Sequence, residues 1–354
     1  MFVSLHNHTA SSNIRFLDSI NRPEEMVRRC IDLGFGGIAF TDHESLSPAI
    51  QIIKIRDEIE KDHPDFKIIF GNEIYLIDES QIKNNPKYYH FVLLAKDLEG
   101  WEQLRRLSSR AWERGYTERG VMRVPTTYSD IEEIVGTNPG HLISSSACVG
   151  GELPTAILSN DEDRVHEFIN WCIKNFGRDN FVLELQPSDN EEQVVVNRRL
   201  ISLSKEFGLK YIITTDSHYL MKEDFPIHSA FLNSKQSQDR ETEKFYKYTY
   251  IMTEEEMSSI LGDSENGLTE EEIKTGFANT VLVGDMIEKF DFRHSTIVPC
   301  IKIPEYSLSH SLYKKGYEMI DKFYDSPNEQ DRFLIYQIEQ GLVEKKVVID
   351  ENKL

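Results

Sequence analysis

The stretch Phe2-Val3-Ser4-Leu5-His6-Asn7-His8-Thr9 constrains this chain more than any other. It is a short apolar run that ends in two histidines, two positions apart. Successive strand residues face opposite ways, so this spacing puts both imidazoles on one face, where they can chelate one ion. A single such pair fits a packed structural pair equally well. Repetition changes the balance. Residues 37–41 run into Asp42-His43, 67–70 into Gly71-Asn72-Glu73, 141–144 toward Ala147-Cys148, and 211–215 into Asp216-Ser217-His218. Several strands thus deliver imidazole, carboxylate or thiol toward one point.

Between these runs lie helical patterns. Pro23-Glu24-Glu25 opens a helix with Met26, Val27, Cys30 and Ile31 as its buried stripe and Gly34 as its stop. Further helices are expected over 46–62, 98–114, 128–135, 161–176 and 191–207, with a basic loop holding Arg119 and Arg123 before the third of these. Strands alternating with helices imply parallel β-α units. Seven in a row suit a closed barrel, a distorted (β/α)7 TIM-like one, whose chemistry gathers at the C-terminal strand ends. From Lys222 onward the pattern is mostly helical and polar, with helices over 254–261 and 270–290. Pro299 and Pro304 bracket an extended connector, and 312–345 reads as two helices. The expected division is a barrel with its helical appendage over 1–290, then a connector and helical tail over 291–354.

No apolar stretch approaches the ~20 residues that span a bilayer, and the chain enters its first strand without a leader, so a cytosolic (cytoplasmic) protein is expected. Cys30, Cys148, Cys172 and Cys300 are too scattered for a disulfide framework, and Cys30 and Cys172 read as core thiols. A net charge of −20 argues against extended duplex binding by this chain alone. It leaves room for a nucleic-acid end as substrate, since three divalent ions would return roughly +6 locally. No glycine-rich phosphate loop is present. Imidazole with carboxylate suits zinc, manganese or iron, and two or three such ions can activate water against a phosphoester.

His6-Asn7-His8, Thr41-Asp42-His43, Gly71-Asn72-Glu73, Tyr89-His90-Phe91-Val92-Leu93-Leu94-Ala95 and Asp216-Ser217-His218 resemble the motifs of the polymerase-and-histidinol-phosphatase (PHP) family. The likeness is greatest to the N-terminal PHP domain of bacterial replicative DNA polymerase III alpha subunits. It continues through Tyr219-Leu220, Glu223-Asp224, His228, Tyr250-Ile251-Met252, Glu255-Glu256-Met257 and Phe277-Ala278-Asn279-Thr280, and so covers roughly residues 1 to 300.

The resemblance implies a centre of three divalent ions on nine ligands, which fall on His6, His8, Asp18, His43, Glu73, His90, Cys148, Asp216 and His218. Unaided, Asp18 reads as a loop acid, Cys148 as a core thiol, and His90 begins its strand where the others end theirs. All nine positions hold metal-competent side chains, which favours an active centre. The implied activity is metal-dependent phosphoester hydrolysis, 3′→5′ removal of nucleotides from DNA ends in a proofreading role, with His6, His8, His43, Glu73 and Asp216 as the catalytic set. Implied partners are a polymerase body or other replisome subunits. The sequence ends at Leu354, short of palm, thumb and fingers, so no polymerase active site is expected; the chain would be free-standing or one piece of a split polymerase.

Two rivals stay open: a small-molecule phosphatase of the histidinol-phosphate type, and a non-catalytic scaffold that docks a polymerase body or exonuclease subunit. An amidohydrolase would need a bridging lysine at a strand end, and none is placed there. Arg15, Arg119 and Arg123 are candidate phosphate contacts or plain solvated charges. Glu184 is a candidate supporting acid or a lining residue. His63, His141, His166, His294 and His310 match no motif, His228 reads as packed on the barrel, and Phe245, Tyr246, Tyr248 and Tyr250 read more simply as packing than as a stacking platform.

Overall fold

The computed structural model describes residues 1–14, 17–84, 86–118, 120–234, 245–296 and 302–347. Pro299, Cys300, Arg15 and Arg119 lie outside them. The chain divides into two compact units, Met1–Phe292 and Arg293–Leu354.

In the first unit the strands are β1 (Val3–Ser4), β2 (Gly37–Phe40), β3 (Lys67–Ile77), β4 (Tyr89–Ala95), β5 (Tyr116–Glu118), β6 (Val121–Arg123), β7 (Pro125–Thr127), β8 (Leu142–Ser145), β9 (Phe181–Leu185) and β10 (Lys210–Ile213). The main sheet runs β1-β2-β3-β4-β8-β9-β10, with β7 added to the end of β3 and β5-β6 as a separate hairpin. Past the ends of β1 and β10, Asn7 and Ser217 bridge in parallel, with His8 N donating to Ser217 O. That contact curls the sheet into a distorted β/α barrel.

The helices α1 (Pro23–Asp32), α2 (Ala49–Ile59), α3 (Leu98–Arg114), α4 (Tyr128–Ile134), α5 (Glu152–Leu158), α6 (Glu162–Phe176) and α7 (Glu191–Phe207) follow the strands. Beyond them come α8 (Phe225–Asn233), α9 (Glu254–Leu261) and α10 (Glu270–Asp285). Thr127, Thr253 and Thr269 open α4, α9 and α10 with reciprocal capping boxes. In the second unit, α11 (Glu318–Tyr324) and α12 (Glu329–Glu344) enclose a small core of Leu312, Tyr324 and Ile335. There buried Glu339 accepts from Ser309 N and Ser311 N.

Strand alternation sorts the main core into two layers. Ile69, Val92, Leu94, Ile143, Val182 and Ile212 point into the barrel with Val3, Leu5, Ala39 and Val283. Their neighbours Ile68, Phe70, Phe91, Leu93, Phe181, Leu183 and Ile213 point outward and pack under the helices. The same parity carries Ala39 to His43, Ile69 to Glu73 and Val182 to Glu184, so polar side chains inherit the inward face above an apolar floor.

The sheet departs from the all-parallel expectation at β4, which runs antiparallel to both β3 and β8. The reason is the connection. Among the described residues of 78–88 the one helical turn is Glu79–Gln81, and without a full crossover the chain returns beside the strand it left. β3 also runs on through Glu73 to Ile77 instead of stopping at Phe70, so Glu73 lies within a strand. Gly71 permits this: a Cβ there would lie 2.7 Å from Leu93 O and 2.9 Å from Thr41 Cγ2. The basic stretch before α4, read as a loop, is largely the β5-β6 hairpin. The helix expected over 270–290 ends at Asp285, because Glu288 N turns aside to Lys96 O and Phe292 stacks on Trp101 at 4.3 Å.

Phe91, 1 % exposed, meets Phe168 and Phe176 edge-on at 5.8 and 5.7 Å. Phe91→Ala is expected to cost about 3–5 kcal/mol in urea unfolding; a loss under ~1 kcal/mol would contradict this packing.

Candidate metal centre

The barrel mouth collects side chains from seven places in the chain. His6 and His8 follow β1, Asp18 comes from the loop before α1, and His43 follows β2. Glu73 lies on β3, His90 on β4, Cys148 follows β8, and Asp216 and His218 follow β10. All nine meet in one cluster. His90 fits because β4 is antiparallel: its first residues lie at the mouth where parallel strands end. Asp216 holds φ +47° and Ala147 φ +56°, both in the left-handed region that non-glycine residues seldom adopt.

Ring orientation is fixed from behind. His6 Nδ1 lies 2.5 Å from Glu184 Oε1, and a carboxylate can only accept, so Nδ1 carries the hydrogen. Ser12 Oγ donates to Asp42 Oδ1 at 2.7 Å and therefore accepts from His8 Nδ1 at 3.0 Å. Both Nε2 atoms then face inward, 3.1 Å apart. Around them stand Asp216 Oδ1, 3.3 and 3.0 Å away, and Glu73, with Oε1 3.4 Å from His6 and Oε2 3.6 Å from His8. His43 spans two acids, with Nε2 2.7 Å from Asp18 Oδ2 and Nδ1 2.5 Å from Glu73 Oε2. His90 Nδ1 is 3.2 Å from Glu73 Oε1 and 3.4 Å from Cys148 Sγ, and His218 Nε2 is 3.2 Å from Asp18 Oδ2.

These contacts are close but ill-satisfied. Glu73 Oε1 and Oε2, Asp216 Oδ1 and His43 Nδ1 are buried and have close neighbours but none in good hydrogen-bond geometry. Buried carboxylate oxygens and inward-facing imidazole nitrogens with no donor between them need a cation. The donor atoms gather into three groups that could each hold an ion: His8, His43 and His218; His6, His8 and Asp216; His43, Glu73 and His90. Nitrogen and oxygen donors of this kind fit divalent transition metals.

Without metal, protons meet the need in part. Burial pulls the His6 pKa down, but Glu184, Asp216 and Glu73 outweigh it and hold it well above the ordinary value. Burial likewise works against the charged form of His43, yet Glu73 and Asp18 raise it to about 10. His8 goes the other way: burial, with His43 and His218 beside it, lowers it to about 3. Burial opposes ionisation of Glu73, Asp18 and Asp216, but surrounding imidazoles reverse this and hold all three below the usual carboxylate range. Burial, with Asp216 and Glu73 nearby, pushes the Cys148 thiol well up, so a cation is needed to make it a thiolate.

Sequence reasoning left Glu184 undecided. It follows the inward parity of Val182 and receives Ser145 Oγ, Thr214 Oγ1 and Gln186 Nε2 besides His6. Tyr246 is more than packing: its hydroxyl donates to Asp18 Oδ1 at 2.6 Å, and His228 Nε2 donates to Asp18 O at 2.5 Å. No local spacing signals either contact, since both join residues more than 200 positions apart. Arg123 lies against Tyr88, away from the nine-residue cluster.

Fold and site together define a β/α-barrel protein built to hold divalent cations. The PHP domain profile matches residues 4–188, just over half of the sequence, and the chain belongs to the PHP family. It is 39% identical over 369 residues to the DNA-directed DNA polymerase of Bacillus phage SPbeta, an alignment taking in 97% of this chain and 28% of the phage protein. To the DNA polymerase III subunit alpha of Borreliella burgdorferi it is 29% identical over 86% of this chain and 25% of that one. The chain therefore spans about a quarter of the length of these relatives. Among solved structures, the histidinol phosphate phosphatase of Lactococcus lactis, complexed with zinc, L-histidinol and phosphate, covers 66% of this chain and 93% of its own at a TM-score of 0.36 and 14% identity. Among the described residues, no helix is long and apolar enough to cross a membrane.

The pKa pattern sets a pH optimum for metal-free stability. The lowered carboxylates stabilise the fold above pH ~4.5 and lose that contribution on acidification. His8, lowered to about 3, adds to the loss as pH falls below 6.5, because only the unfolded chain takes its proton. His43 contributes fully below 6.5 and loses its contribution as pH rises toward about 10. Melting temperature in chelator is expected to peak near pH 6.5; a steady rise to pH 10 would contradict these assignments.

Proposed function

We propose that this chain is a metal-dependent phosphoesterase that removes nucleotides from DNA 3′ ends, as part of, or a partner to, a DNA polymerase of the III alpha type. The single observation that carries the reading is the convergence of nine metal-competent side chains around buried, unsatisfied Glu73 and Asp216 oxygens. The polymerase relatives support the choice of DNA as substrate.

In this reading His6, His8, Glu73 and Asp216 hold one or two ions, and His43, His90, Cys148, Asp18 and His218 complete a centre of three, of zinc, manganese or iron. Divalent ions held there would supply Lewis acidity, lowering the pKa of water toward neutrality and offsetting charge on phosphoryl oxygens. The chain's own residues prepare for this. Glu184 fixes the His6 ring so that Nε2 faces the centre, and Ser12 does the same for His8. Tyr246 and His228 hold Asp18 between His43 and His218. The apolar floor of Val92, Ile143, Val182 and Ile212 closes the barrel below the site, so substrate approaches from the mouth.

Protein stripped of metal and reloaded with zinc or manganese is expected to release mononucleotides from a 3′-labelled primer. His8→Ala and Asp216→Asn should each lower release by at least ~100-fold, the scale of lost metal-held charge stabilisation. Metal bound without any hydrolysis would instead favour a scaffold role, and hydrolysis confined to small phosphomonoesters would favour the small-molecule phosphatase.

A further inference from the structure

A row of tyrosines leads outward from the cluster. Tyr75, on the inward face of β3 two positions past Glu73, sits edge-on to His90 at 4.6 Å and 5.4 Å from the His43 ring. Tyr88 crosses Tyr75 edge-on at 6.4 Å. Its hydroxyl meets that of Tyr116, on the β5-β6 hairpin, at 2.5 Å. Cations lie on the outer two rings: Arg123 is 5.1 Å from the Tyr88 centroid and Lys83 5.3 Å from that of Tyr116. Tyr75 is buried, Tyr88, Tyr116 and Arg123 are half-buried, and Lys83 is exposed.

Charge singles out the same region. Lys83 and Arg123 place positive charge on the outer rings, in a chain whose net charge is −20. The Arg123 side chain meets Glu118 only at 3.7 Å, and its buried Nε has no hydrogen-bond partner. Such an arginine keeps donors to spare for a phosphate.

Rings interleaved with cations match a single strand, whose bases offer open π-faces and whose phosphates follow at intervals. A duplex hides its base faces and meets the full acidity of the chain. A lone phosphate or mononucleotide is too small to use both outer rings and their cations at once. We propose that Tyr88 and Tyr116, with Arg123 and Lys83, form a docking surface for single-stranded nucleic acid that leads its end past the buried Tyr75 ring to the barrel mouth. Only the direction toward the cluster rests on the phosphoesterase reading; the surface itself binds without metal.

The test is fluorescence anisotropy of a labelled oligothymidylate with the full chain in EDTA, against a duplex of equal length. The single strand is expected to bind more tightly. Tyr116→Ala and Arg123→Ala should each weaken it about tenfold, while Tyr116→Phe, which keeps the ring, should bind as the parent does. Arg123→Ala should also lower the salt dependence by about 0.7 in log–log slope, and Lys274→Ala, on α10, should change nothing. Circular dichroism melts check folding, with Arg123→Gln replacing any alanine protein that unfolds. No binding at low salt, equal binding of duplex, or indifference to both alanine changes overturns the proposal. The two readings fail separately. Metal-loaded cleavage that ignores these variants removes the surface and keeps the phosphoesterase, whereas binding as described without hydrolysis does the reverse.

Discussion

The structure turns on a carboxylate that ought not to be comfortable where it is. Glu73 is fully buried, with its oxygens within 3.6 Å of His6, His8, His43 and His90, yet neither oxygen has a partner in good hydrogen-bond geometry. Burying an ionised carboxylate costs several kcal/mol unless charge and hydrogen bonds offset it. Here the offset comes from imidazoles that themselves need a cation between them. The arrangement is costly as a core and economical as a metal centre, and the rest of the mouth follows from it. His6 and His8 are turned inward by partners behind them, Glu184 for His6 and Ser12 for His8.

The barrel makes such a cluster possible because its two jobs fall on alternate residues. Outward side chains of β3, β4 and β9 bury against helices and supply the bulk of the hydrophobic stabilisation. Inward side chains form an apolar floor low in the barrel and donor atoms above it. Buried acids are therefore carried by strands whose other face is secure. The left-handed backbone at Asp216 is held in the same way, by bonds from His8 N to Ser217 O and from Ser217 N to His6 O.

Much of this was legible in the sequence where the signal is local. The pairs at His6/His8 and Asp216/His218, and the runs into His43 and Glu73, each show the period of a strand and a terminal donor. The run of strand and helix patterns was enough for the barrel. What escaped was non-local. The antiparallel course of β4, and with it the reason His90 opens its strand, depends on how the short connection over 78–88 folds back. The hairpin before α4 has a loop-like composition and becomes strand only through its partner. Asp18 gains its place from Tyr246 and His228, which arrive from the far side of the chain. Glu184 shows its inward parity only once Val182 is known to face the barrel.

The most direct measurement is the metal stoichiometry and affinity of the stripped protein, by calorimetric titration with manganese and with zinc, beside the Glu73→Gln protein. More than one tightly held ion, with at least one lost in Glu73→Gln while circular dichroism shows the fold retained, is the predicted result. Absence of binding, or identical binding by the two proteins, would contradict the claim that Glu73 is buried for the sake of a cation.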